Sequence, residues 1–167
     1  MKCPLPARDR GGLVSETLSE ASQTGAAKFR TKKVETHSDW NQLVEVLREE
    51  LQEKGGLMQL LNQQTEVLYL LLPDENRRLE EQIRKQLLET SRCTQKRQRT
   101  LRELAARMNL PDGAGPKEMV VRFPEYVQPL LEALFSEVDR LSGRMEERLR
   151  QNQQLKTRFF SEATSMA

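Results

Sequence analysis

Apolar residues return every three or four positions through three long stretches of this chain, and that period decides most of what it can become. A helix turns about 100° per residue, so such spacing gathers apolar side chains on one stripe and leaves the rest polar. In the first stretch Trp40, Leu43, Val44, Leu47, Leu51, Met58, Leu61, Leu68, Tyr69 and Leu72 share a face, with Lys54 and Thr65 as polar exceptions. In the second, the stripe is Leu79, Ile83, Leu87, Thr90, Thr94, Leu101, Ala105 and Met108, and its polar middle predicts looser packing. The third is the cleanest. Val127, Leu130, Leu131, Leu134, Val138, Leu141, Met145, Asn152, Phe159 and Ala163 point one way, and Leu149, Leu155 and Phe160 widen the stripe towards its end.

Local signals bound these stretches. Ser38 and Asp39 can each cap a helix N-terminus by accepting from its free N–H groups. Pro73 interrupts the pattern and Asp74 offers a cap for the next helix. Residues 109–117 hold Pro111, Gly113, Gly115 and Pro116 and read as a loop. Met119-Val120-Val121 could be extended, though a single strand would have no partner, and Pro129 should kink the last helix or reset its start near Gln128. Gly55-Gly56 reads as a kink or break, or else as a hinge or a close approach by another backbone.

The pattern therefore predicts helices over about 38–72, 75–108 and 125–161. They pack most simply as an all-α, elongated, antiparallel three-helix bundle of coiled-coil type over residues 38–163. Residues 1–37 carry Pro4, Pro6, Gly11, Gly12 and Gly25 among scattered apolar residues, and should be disordered apart from a short helix around Ser15–Gln23 on docking.

Composition narrows the function classes. The chain has 167 residues, enough for one domain, with 37% hydrophobic and 31% charged residues. That mix suits thin helical cores more than an enclosed catalytic pocket. One histidine, His37, and two cysteines, Cys3 and Cys93, supply no zinc ligand set and no Cys–His nucleophile, so no metal, no cofactor and no enzymatic activity are expected. Acidic pairs such as Glu49-Glu50, Glu80-Glu81 and Glu146-Glu147 read as solvated, with helical partners in Glu81–Lys85 and Glu146–Arg150.

Lys and Arg number 27 against 25 Asp and Glu, a net +2 too small to point to nucleic acid. The run Arg92, Lys96, Arg97, Arg99 and Arg102 could contact phosphates. It lacks interleaved aromatics, though, and reads better as a solvated face; no nucleic-acid partner is expected. Polar residues interrupt Leu57–Leu72, so no membrane span is expected. No secretory signal is visible, and Asp9, Glu16, Glu20 and Glu35 argue against a transit peptide. A cytoplasmic protein is the expectation.

The last helix is the most informative. Asn152 lies at the centre of its stripe, where an amide either fixes the register of a packed helix or marks a stripe left open to water. Phe159-Phe160 either cap the bundle or belong to an exposed apolar surface that receives an amphipathic helix.

The order of these features resembles the FlgN-like flagellar export chaperones. The resemblance runs over about residues 40–160: a leucine-rich first helix, the turn at Pro73-Asp74-Glu75, a second helix reaching Arg99-Thr100-Leu101-Arg102-Glu103-Leu104-Ala105-Ala106-Arg107-Met108-Asn109-Leu110, and a third closing with Arg150-Gln151-Asn152-Gln153-Gln154-Leu155. It implies a cytosolic chaperone that binds the amphipathic C-terminal segment of the hook–filament junction proteins, of the FlgK and FlgL type. Such a chaperone prevents their premature association and delivers them to the type III export apparatus of the bacterial flagellum. It also implies a client-binding surface on the last helix, formed by Leu141, Met145, Leu149, Asn152, Leu155, Phe159 and Phe160. Two other classes stay open: a self-assembling coiled-coil or adaptor subunit, a homo-oligomer, and a nucleic-acid-binding helical module.

Overall fold

The computed structural model describes the backbone of residues 25–165 and the side chains of residues 38–159. The chain divides into two compact units, Met1–Val34 and Glu35–Ala167, and the described side chains all belong to the second. The described backbone is all-α. It holds three long helices, α1 (Gly25–Tyr69), α2 (Pro73–Arg107) and α4 (Gln128–Ser165), and one short helix, α3 (Pro116–Val120).

α1 starts at Gly25, inside the segment expected to be unstructured and well before Ser38. No Pro or Gly stands between Ala26 and His37 to stop a helix, and a capping residue permits a helix start without enforcing one. Asp39 is not used as a cap: it is buried and accepts from Arg107 of α2 at 2.7 Å. What was expected of residues 1–24 lies outside the described residues.

α1 also runs unbroken through Gly55-Gly56, where a kink or break was the reading. Two glycines cost a helix about 1 kcal/mol each relative to alanine, and packing offsets that cost at Gly56. The Gln86 amide of α2 lies 3.4 Å from where a Cβ on Gly56 would stand. Its Nε2 donates to the Glu53 backbone carbonyl at 3.0 Å and to the Glu53 carboxylate at 2.6 Å. The close approach is made by a side chain, not by a backbone.

α1 and α2 end in the same hydrogen-bond pattern. After α1, Leu72 N–H donates to Val67 O and Leu71 N–H to Leu68 O, both at 3.2 Å, with Leu71 at φ 56°. After α2, Leu110 N–H donates to Ala105 O and Asn109 N–H to Ala106 O, with Asn109 at φ 52°. Both are Schellman motifs, in which a left-handed residue turns the chain out of the helix and satisfies its last carbonyls. α2 then opens with Pro73 in its first turn, where the missing N–H costs nothing. Leu72 holds the cap position, so Asp74 does not cap as expected. It sits in the first turn, where a negative charge still favours the helix dipole.

Met119 and Val120 are helical, not extended. Pro116 opens the turn, Glu118 accepts from the Gly115 N–H at 3.0 Å, and Met119 and Val120 bury themselves almost completely. Packing overrides the β-branched preference there. α4 begins at Gln128, with Pro129 in the tolerated first turn.

Bonds between the long helices fix their directions. Asp39–Arg107, Glu50–Arg97, Glu53–Gln86 and Gln64–Asn76 pair rising numbers on α1 with falling numbers on α2, so these two run in opposite senses. Lys54–Ser142 and Gln64–Asn152 rise together, so α1 and α4 run the same way. Two apolar clusters form along them. The first joins Leu43, Val44 and Leu47 of α1 to Leu104, Met119, Val120, Phe123, Val127, Leu131, Phe135 and Val138. The second is smaller: Leu57, Met58, Leu61, Ile83 and Met145.

Candidate partner-binding face of the last helix

The α4 stripe turns towards α1 and α2 along most of its described length. Met145 is buried in the second cluster, and Leu141 and Leu149 pack half-buried against it. Leu155 and Phe159 are half-buried further on, while the Phe160 side chain lies outside the described residues. The stripe expected to receive a partner is thus largely occupied by the chain's own helices.

Asn152 is 2% exposed and fully engaged within the chain. Its Nδ2 donates to the Leu61 backbone carbonyl at 2.8 Å and to Gln64 Oε1 at 3.0 Å, and its Oδ1 accepts from Thr65 at 2.7 Å. The bonds continue around the three long helices. Gln64 Nε2 donates to Asn76 Oδ1 at 3.2 Å, Asn76 Nδ2 to Glu80 Oε1 at 3.1 Å, and Lys156 returns to Glu80 at 2.5 Å. The ring begins and ends on α4. The Lys156 hydrogen bond is the main reason the Glu80 carboxyl is held below its ordinary range; burial opposes it, and the Lys156 charge and Asn76 add to it. Beside the ring a cleft of about 270 Å³ lies between α2 and α4, lined by Ile83, Leu87, Leu149, Asn152, Glu80 and Lys156.

A second polar layer separates the two apolar clusters. The Glu50 side chain is fully buried, and its oxygens accept from Thr94 at 2.8 Å, Lys54 at 3.1 Å and Arg97 Nε at 2.6 Å. Lys54 also donates to Ser142 of α4, whose hydroxyl donates to the Val138 carbonyl at 2.7 Å. Burial alone would raise the Glu50 carboxyl. The hydrogen bonds from Arg97 and Thr94, the Arg97 charge and the Lys54 bond outweigh it and hold the group below its ordinary value.

The reading of Glu49-Glu50 as solvated is thus corrected at Glu50, and that of Glu80-Glu81 at Glu80, which is half-buried. The signals were Lys54 and Thr94, which are among the polar residues on the first and second stripes. A buried ammonium or hydroxyl needs a partner, and Glu50 stands one helical turn before Lys54. Glu81–Lys85 pairs at 3.3 Å as expected, while Arg150 takes Glu147 in place of Glu146.

The basic run of α2 is largely matched by carboxylates: Lys96 with Glu49, Arg97 with Glu50, and Arg92 with Glu89 at 3.0 Å. Such pairing leaves less charge to offer a phosphate backbone. Cys93 is 7% exposed, and burial followed by the charges of Glu49, Glu53 and Glu50 pushes its thiol up, away from the reactive thiolate. The His37 side chain lies outside the described residues. Among the described residues no three His, Cys, Asp or Glu side chains are grouped to hold a metal ion, and no helix is long and apolar enough to cross a membrane. No family model matches the chain, and no curated protein or solved structure is significantly similar to it.

Proposed function

We propose that this chain is a helical chaperone of the FlgN-like kind, cytoplasmic and without enzymatic activity. It would bind the amphipathic C-terminal segment of hook-associated proteins and hand them to the flagellar export apparatus. In this reading the three long helices form an antiparallel bundle, up, down and up, and the C-terminal half of α4 is the part that engages the client. The observation that carries it is how that half is held. Among the described residues five buried ones make up the second cluster, and beyond them α4 is joined to α1 and α2 by the ring through Asn152. An incoming helix with a similar stripe can replace such contacts at little net cost, because water or its own polar groups satisfy the ring's members. Leu141, Met145, Leu149, Asn152, Leu155 and Phe159 then become client contacts once α4 shifts from α1 and α2.

The test is calorimetric titration of the full chain with C-terminal helical segments of hook-associated proteins. Saturable binding is expected, abolished by Leu155→Asp or Phe159→Asp while circular dichroism still shows a folded helical protein. No binding by the unsubstituted chain, or binding indifferent to both substitutions, overturns the reading.

A further inference from the structure

The turn between α1 and α2 ends in four consecutive apolar residues turned to solvent. Tyr69 is 70% exposed, Leu70 67%, Leu71 55% and Leu72 38%. Single exposed leucines are ordinary, but four large apolar side chains exposed in succession are not, and exposed apolar patches commonly mark a contact surface.

The backbone sharpens the point. Leu71 occupies the left-handed position of the Schellman motif, at φ 56°, a place that glycine or asparagine fills without strain. The equivalent position after α2 is Asn109, and the following Leu110 packs against the first cluster. After α1 the same motif carries a leucine in the strained position and exposes it together with its neighbours.

We propose that this cap is a contact surface for a second copy of the chain, packed turn to turn about a two-fold axis. The charges at its edge favour that occupant. Just behind the cap α2 presents exposed Asp74 and Glu75 followed by exposed Arg77 and Arg78, with Asp74 and Arg77 3.6 Å apart. A two-fold contact sets each such patch against its own copy in reverse, so acidic residues meet basic ones on both sides. A lipid surface with anionic headgroups would instead call for an edge of basic residues alone. Few residues make the contact, against roughly 20–30 a side in a stable interface, so the pairing is reversible and concentration-dependent. It does not rest on the client reading, because sedimentation of the chain alone tests it with no client present.

Sedimentation equilibrium of the full chain over a wide concentration range tests it. A reversible monomer–dimer equilibrium is expected, with Leu70→Asp raising the dissociation constant by at least about tenfold and leaving the thermal melt unchanged. Two charge variants, Asp74→Lys with Glu75→Lys and Arg77→Glu with Arg78→Glu, should each weaken self-association, and mixing the two should restore it. A monomer at every concentration, a dimer indifferent to Leu70→Asp, or a mixture no stronger than its components overturns the proposal. So does a monomer whose Leu70-dependent binding is to vesicles of anionic lipid.

Discussion

The two ends of the long helices are built differently. At one end α3 and the start of α4 close over α1 and α2, and Leu104, Met119, Phe123 and Leu131 sit in a continuous apolar core. At the other, a cluster of Leu57, Met58, Leu61, Ile83 and Met145 gives way to a ring of amides, a carboxylate and an ammonium. Apolar burial contributes about 25 cal/mol per Å², whereas a hydrogen bond made on folding replaces one to water and contributes about 1 kcal/mol net. The first end therefore holds the fold. The second specifies how α4 sits while leaving it easier to open, and local opening is what a binding element needs.

Substitutions at the two ends should differ accordingly. Phe123→Ala, in the first cluster, is expected to cost about 4 kcal/mol in urea unfolding, as large-to-small changes in a closed core do. A cost under about 1 kcal/mol would mean that this end carries no more of the stability than the other. At the boundary, Arg97→Ala strips a buried carboxylate of its shortest bond and should cost about 3 kcal/mol. Because the Glu50 carboxyl is held below its ordinary value of 4.5, its stabilisation is fully present above that pH. It fades as the pH falls through the lower, folded value, and Glu50→Gln should flatten that part of the acid profile.

At the far end, Asn152→Leu leaves Gln64 Oε1 without its donor, although the Leu61 carbonyl keeps the Thr65 hydroxyl at 2.9 Å, and should cost about 1–2 kcal/mol. Hydrogen exchange should show amides near Asn152 opening at lower free energy than those near Leu131; equal protection would erase the contrast between the two ends. The smallest effect has the opposite sign. Leu71→Gly relieves the left-handed leucine and should stabilise the monomer by about 1 kcal/mol, read as a higher melting temperature, while weakening self-association.

The sequence made the helices legible because each buries one face, and a buried face writes its period into the residues. It located the amide at Asn152 for the same reason. It hid what depends on partners from other helices. Lys54 and Thr94 stood out as polar residues on apolar stripes, yet nothing local shows that both converge on Glu50. Met119 and Val120 look like strand residues until the core that covers them is known. The start of α1 was missed because Ser38-Asp39 resembles a cap, although nothing before it prevents a helix.

Lys54 meets Ser142 and Gln64 meets Asn152 across the same sequence offset of 88, so both junctions close in a single alignment of α1 with α4. A slide of α4 by one turn breaks the two together, because both rest on that one alignment. The two junctions therefore part or close as one event, and whatever depends on the departure of the last helix should respond as a switch rather than as a dial.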